Sequence, residues 1–227
     1  MTPSDLRPIS EPTLRRLPRY LHLLRGLSAE RAAVSSTYIG QILGLDPVQV
    51  RKDIECTGLN GRPKVGYNIF GLIRAIEATL GWNNTHRAFL VGAGNLGSAL
   101  LGYPRFAQSG LEILAAFDAD PRKVNTEIHG KKVLPVSKLE NLALRMHVMV
   151  GILTVPAEQA QSMADRMVLG GICAIWNFAP VELRVPDGVV VQNEDLYAGL
   201  ATLSQKLSAH LRKGPHLTKE IEHATES

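Results

Sequence analysis

The feature that most constrains this chain is the run Gly92, Ala93, Gly94, Asn95, Leu96, Gly97. It follows Ala88–Val91, which reads as a buried strand, and opens a stretch to about Gln108 that reads as a helix. The first glycine permits a tight turn, and the second lets the backbone approach a pyrophosphate. The third lets the helix pack closely on the strand, with the pyrophosphate at the helix N-terminus. A lone pattern of this kind is weak evidence. Here the next apolar strand, Glu112–Asp118, ends in an acid, which strengthens it. Asp118 would accept hydrogen bonds from the ribose hydroxyls of a dinucleotide and repel a 2′-phosphate. That favours NAD(H) over NADP(H), while Arg122 and Lys123 soften the preference.

Short apolar runs recur at Lys132–Val136, His147–Leu153, Ile172–Trp176 and Val189–Gln192, several with helix-length stretches between them. Strand-helix alternation predicts an α/β, Rossmann-like doubly wound domain over 86–194, its parallel sheet covered by helices on both faces. Asp195–Arg212 carries Leu196, Leu200, Leu203 and Leu207 at helical steps, with no later strand to pack on. It reads as a separate helix over 195–213, followed by a loose polar tail, 214–227.

The first 85 residues differ in texture. Leu14, Leu17, Leu21 and Leu24 fall at steps of three and four and predict one apolar helix face, with Pro18 near its first turn or at a kink. Ser35 and Ser36 are N-cap residues for a short helix ending near Gly44. Asp46-Pro47 opens another, running to Gly58. About three residues separate the two, the helix-turn-helix pattern. Asn60-Gly61 then signals a β-hairpin turn with Arg62 and Lys64 near its tip, a basic wing. Asn68 caps a further helix through Leu80, and Trp82–His86 is the boundary of a winged-helix domain over 1–85.

Charge follows the same division. Residues 1–85 hold 11 Lys/Arg against 7 Asp/Glu, and residues 86–227 hold 14 of each, so the whole excess of +4 lies in the first domain. A basic domain joined to a neutral one suggests a polyanionic partner for the first. The charge is equally compatible with an ordinary solvated surface. Cys56 and Cys173 are too few and too isolated for a disulfide framework or a zinc site, so no metal is expected. No apolar run approaches the ~18 residues of a membrane span. The N-terminus has no apolar signal region, so a soluble, cytoplasmic protein is expected.

Hydride transfer would need a proton donor near the nicotinamide and usually a second domain shaping a substrate pocket. The histidines fall in linkers, turns, the first basic helix or the C-terminal segment, and none is a candidate catalytic base. The remaining domain is of DNA-binding type. A nucleotide-responsive DNA binder is expected rather than an enzyme. The alternatives are an NAD-dependent oxidoreductase with a small helical dimerisation domain, or a scaffolding nucleotide binder.

Several segments carry a family resemblance: TLRRLPRYLHLL, VSSTYIGQILGLDPVQVRKDI and KVGYNIFGLI, then FLVGAGNLGSALLGY, AAFDADP, TVPAEQAQ, IWNFAPVELRVP and QNEDL. Together and in this order they resemble Rex, the bacterial redox-sensing transcriptional repressors. The resemblance implies a homodimer with the C-terminal helix exchanged between protomers. It also implies a cofactor, NAD in its oxidised and reduced forms, with NADH releasing the protein from an inverted-repeat operator. This chain departs from the common family pattern before and within the wing, reading ECTGLNGRPKVGY without its usual aromatics and with Pro63 near the tip. Operator preference is what that departure touches.

Roles follow residue by residue. In a winged helix the second helix of the pair enters the major groove. Gln49, Arg51 and Lys52 are its long polar residues, while Val48, Val50 and Ile54 are core candidates. Arg51 or Lys52 either reads guanine or grips phosphate, and Gln49 suits adenine. Ser35 and Ser36 either donate to phosphate besides capping or serve as caps alone, and Arg62 and Lys64 would reach the minor groove or backbone. Pro156 and Asn177 follow strands at the sheet's carboxyl edge, where the nicotinamide half would lie. Asn177 would bond the carboxamide, with Phe178 and Pro180 forming an apolar wall that favours the neutral reduced ring. The resemblance also supplies a switch of Arg16, Tyr103 and Asp195. Arg16 and Asp195 pair across domains without NADH, and Tyr103 takes Asp195 when NADH binds.

Overall fold

The computed structural model describes residues 9–212, so the expected tail 214–227 lies outside the described residues. Two compact units emerge. One comprises the chain through His86 together with Tyr103–Glu112, and the other comprises Arg87–Gly102 and the chain from Ile113 onward. Tyr103–Glu112 is thus grouped with the first unit, although its sequence position is inside the 86–194 segment.

In the first unit α1, Glu11–Leu27, starts at Ser10, whose hydroxyl accepts from the Thr13 amide, and runs through Pro18. Leu17, Leu21 and Leu24 are buried as expected. The buried stripe also takes in Thr13 and Tyr20, so its centre lies toward them and Leu14 is left at the margin, 38% exposed. α2, Ser36–Leu43, is capped by Ser35 and ends at Gly44 in the left-handed conformation. α3, Pro47–Glu55, is capped by Asp46. Gly40 makes their close crossing possible, since a Cβ there would stand 2.6 Å from the Leu45 carbonyl oxygen. α3 stops three residues before the expected Gly58. Its end tightens into three-residue turns, the Thr57 and Gly58 amides donating to Ile54 and Glu55, and Gly58 has φ +78°.

The wing also differs from expectation. The chain reverses at Arg62–Gly66, not at Asn60-Gly61, with reciprocal Arg62–Gly66 backbone hydrogen bonds of 2.8 and 2.9 Å. Pro63 presets the first corner and Lys64 takes φ +63° at the second, the geometry of a type II turn. β1, Ala33–Val34, pairs antiparallel with β2, Tyr67–Asn68. α4, Ile69–Thr79, is capped by Asn68 and buries Ile69, Leu72 and Ile76 against the leucines of α1.

The sheet consists of β3 (His86–Val91), β4 (Leu111–Asp118), β5 (Glu127–Ile128), β6 (Lys131–Pro135), β7 (Val150–Leu153), β8 (Ala174–Asn177) and β9 (Val190–Asn193). Its order is β5-β6-β4-β3-β7-β8-β9, with β4–β6, β3–β7, β7–β8 and β8–β9 parallel and β5–β6 antiparallel. Without that edge strand this is the doubly wound Rossmann order, which reverses between β3 and β7. The helices are α5 (Asn95–Leu101), α6 (Arg105–Gln108), α7 (Leu139–Met146), α8 (Ala157–Leu169) and α9 (Leu196–Arg212). One helix was expected from the glycine loop to Gln108. It divides into α5 and α6 because Pro104 disfavours helical geometry in the residue before it. Phe89, Phe117, Leu139, Leu153, Met167 and Ile175 form the second core. α9 keeps Leu200, Leu203, Leu207 and Leu211 between 54% and 68% exposed.

Candidate nucleotide cavity and nucleic-acid interface

The glycine loop sits where the strand order reverses. Gly92 has φ +104°, donates its amide to the Phe117 carbonyl at 2.8 Å, and would set a Cβ 2.7 Å from the Thr154 carbonyl oxygen. A Cβ on Gly97 would collide with the Gly92 carbonyl. The fold itself therefore requires these two glycines. Gly94 is different, because a Cβ there would meet nothing within 4 Å. No protein atom accounts for a glycine at the middle position. Thr154, which sequence reasoning missed, braces the loop. Its hydroxyl lies 2.7 Å from the Gly92 carbonyl and its amide donates to Val91.

A cavity of about 510 Å³ opens beside the loop, lined by Gly92, Gly94, Leu96, Asp118, Pro156 and Phe178 among others. Ala93 is buried and Asn95 is exposed at the start of α5. The Asp118 carboxylate accepts from the Ala93 amide at 2.8 Å, the Asp120 amide at 2.8 Å and the Lys123 ammonium at 3.2 Å. Three of its roughly four acceptor positions are used, which leaves one open. Arg122 is engaged by Asp120, whose carboxyl it holds down at about 2. Arg122 and Lys123 are thus both matched to carboxylates.

Two expected cofactor contacts, Asn177 and Pro180, do not line this cavity. Asn177 is fully buried, and its amide nitrogen donates to the Val181 carbonyl at 2.8 Å and to Asn193 at 2.9 Å. Its oxygen accepts from the Ala179 amide, so it shapes the Phe178–Val181 loop instead of reaching out to a carboxamide. Pro180 lines a second cavity, of about 580 Å³, with Glu182, Glu194, Asp195 and Tyr197. Phe178 borders both cavities and packs on Trp176, ring centroids 4.9 Å apart. Tyr103 is 46% exposed and meets Phe106 edge-on.

The first unit has its own concave surface, about 500 Å³, between the start of α2, the outer face of α3 and the wing. Ser35, Arg51, Arg62 and Lys64 line it. Arg51, Lys52, Arg62 and Lys64 are exposed. Ser35 accepts from the Tyr38 amide as a cap and keeps its own hydroxyl proton to donate, Ser36 keeps only 7% exposure, and the neighbouring Thr37 is exposed. Val48, expected in the core, is 52% exposed. Gln49 donates its amide to Asp53 at 2.9 Å, so its hydrogen-bonding group is turned to the domain's own interior network.

Asp53 is the centre of that network and was not foreseen. It is 1% exposed and also accepts from Thr13, Arg16 and Tyr20. Burial pushes its pKa up, but the hydrogen bonds outweigh burial and hold it below the ordinary carboxylate value. Burial and Asp53 together push the Tyr20 phenol up, and the hydrogen bond to Asp53 secures the Arg16 charge. Arg16, expected to face Asp195, thus has a partner in its own unit. Asp195 caps α9, accepting from the Tyr197 and Ala198 amides at 2.8 and 3.1 Å.

Among the described residues no helix is long and apolar enough to cross a membrane, and no cluster of potential metal ligands occurs.

Comparison with known proteins agrees with both units. Residues 8–54 match the family model "Putative DNA-binding protein N-terminus", and residues 83–181 match "CoA binding domain". A "Redox-sensing transcriptional repressor Rex" of Treponema denticola is 48% identical over 193 residues, covering 85% of this chain and 92% of the relative. One of Porphyromonas gingivalis is 45% identical, covering 88% and 93%. RSP, a Rex-family repressor crystallised with β-NAD⁺ and operator DNA, superposes with a TM-score of 0.83 at 34% identity, covering 96% of this chain and 98% of RSP. Its complex with β-NADH superposes with a TM-score of 0.81 at 35% identity, covering 91% and 98%.

Proposed function

Because the chain belongs to the Rex family of redox-sensing transcriptional repressors, we propose that it binds operator DNA through its first unit while NADH is scarce and leaves when NADH occupies the glycine-loop cavity. It is a regulator, not an enzyme, as its relatives are named. The observation that carries the reading is Gly94, a loop glycine that no atom of the fold requires, lining the cavity at the sheet's reversal point.

Backbone amides of Gly92–Gly97 would hold the pyrophosphate, and Asp118 would accept a ribose hydroxyl. Pro156 and Phe178 would flank the nicotinamide, whose ring supplies the redox signal by being cationic when oxidised and neutral when reduced. An apolar flank at Phe178 favours the neutral ring, because an unpaired charge is costly to bury. Arg51 and Lys52 would enter the major groove from α3, and Arg62, Lys64, Ser35 and Thr37 would hold the flanking backbone. The exposed leucines of α9 would be covered by a second copy of the chain, giving a homodimer on an inverted-repeat operator. A transcriptional regulator of this kind works in the cytoplasm. Loss of a promoter-DNA gel shift on adding NADH supports the proposal, and a shift indifferent to NADH refutes it.

A further inference from the structure

The outer face of α3 consists of Val48, Arg51, Lys52 and Glu55, at helix steps of three and four, all exposed. Val50, Asp53 and Ile54 are buried, and Gln49 is drawn half inside by Asp53. One apolar residue therefore stands on an otherwise charged face, and it stands in the first turn. In helix-turn-helix proteins that turn touches base edges. Val48 serves no stabilising purpose that the fold reveals. A β-branched residue is a weak helix former, and at 52% exposure it gains little from burial. Of Leu45 and Val50, which bracket the N-cap at staple positions, Val50 belongs to the core cluster and Leu45 packs against it, so the apolar anchoring of this helix start is complete without Val48.

We infer that Val48 is a specificity-determining residue that packs against the C5-methyl group of a thymine in the operator half-site. The inference rests on the repressor reading above. In the major groove, thymine alone among the bases presents a methyl group, and an apolar side chain is the chemistry that recognises it. The placement is pre-set, because the Val48 amide is fixed by the Asp46 carboxylate at 2.7 Å and a β-branched side chain has essentially one χ1 rotamer in a helix. Arg51 lies one turn further along the same face and supplies the polar contact beside it. The loss of Gln49 to Asp53 leaves this apolar contact as the means of discriminating A·T from G·C at the helix start.

The test pairs a side-chain deletion with a methyl deletion on the DNA. Operator affinity of the full-length wild type and of Val48→Ala is measured by fluorescence anisotropy without NADH. The duplexes are a selected operator and a series in which each half-site thymine is singly replaced by deoxyuridine. At one symmetry-related position, loss of the methyl should weaken wild-type binding about fourfold per half-site, the worth of burying one methyl group. Val48→Ala should weaken binding to the unmodified operator to a similar degree and be indifferent to deoxyuridine at that position only. Losses that multiply at every thymine, or a Val48→Ala protein that binds as tightly as wild type, would overturn the inference. NADH affinity of Val48→Ala, expected unchanged, separates a local effect from misfolding. A wild-type protein that binds no operator would instead refute the repressor reading itself.

Discussion

Arg16 grips Asp53 with two parallel hydrogen bonds, Nε at 2.6 Å and Nη2 at 2.8 Å, across the packed α1–α3 pair of the DNA-binding unit. Asp53 is 1% exposed and Arg16 20%, so the pair sits at the boundary of the core with the second guanidinium edge unassigned by these bonds. Thr13, Tyr20 and Gln49 complete the carboxylate's shell. The relationship fixes how α3 is held relative to α1, and hence how the recognition face is presented.

Asp53→Ala should therefore cost about 3–5 kcal/mol, because removing one partner of a buried pair strands the other. Urea unfolding measures the loss, and operator binding should disappear while NADH binding persists. The wild-type pH dependence follows from the depressed folded pKa of Asp53. The contribution is present above the unfolded value of about 4 and lost as pH falls through the folded value. A first-unit stability that stays flat on acidification below about 4 would contradict this.

Gly94→Ala should leave the fold intact, since its Cβ meets no atom within 4 Å and its φ of −78° suits any residue. It should raise the Kd for NADH at least tenfold. Gly97→Ala, by contrast, collides with the Gly92 carbonyl and should lower the melting temperature outright. Equal NADH affinity for Gly94→Ala and wild type would remove the pyrophosphate assignment.

Asp195 has a capping role independent of any partner. Asp195→Asn keeps a capping oxygen and removes the charge, whereas Asp195→Ala also removes the cap at a cost of about 1 kcal/mol. If Asp195 is a charge partner of Arg16, Asp195→Asn should weaken cofactor-free operator binding, by about 1–3 kcal/mol for a typical coupling. The Arg16→Ala double variant should then be little worse than either single. Additive losses would return Arg16 to its role beside Asp53 and Asp195 to its cap.

The α9 stripe predicts the assembly state. Leu203→Asp with Leu207→Asp should convert a dimer into a monomer of 24.7 kDa by sedimentation. An unaltered sedimentation coefficient would place the dimer contact elsewhere.

Local signals in the sequence were legible where they were chemically self-contained. Ser35, Asp46 and Asn68 cap the helices they were expected to cap, Gly44 ends α2 in the left-handed region, and the glycine loop stands between β3 and α5. What depended on tertiary partners was not legible. Asp53 carries no local signal of burial, and only the approach of α1 turns it into a buried centre. Asn177 reads as an outward ligand at a strand end, yet the neighbouring β9 residue Asn193 captures its amide. Val48 reads as core because it alternates with Val50, but a helix turns them to different faces. The wing turn moved because Pro63 and Lys64 outcompete the Asn60-Gly61 signal, with Gly66 lying against the Val34 carbonyl where a Cβ could not fit. Thr154 opens the TVPAEQAQ segment, but its bracing role depends on which loop the end of β7 adjoins.

In the proposed function one molecule couples the redox state of a nicotinamide to DNA affinity. The most direct measurement is operator affinity by fluorescence anisotropy at saturating NADH and at saturating NAD⁺, at one salt concentration. Binding should be at least tenfold weaker with NADH, a coupling of about 1.4 kcal/mol. Equal affinity under the two conditions would contradict it.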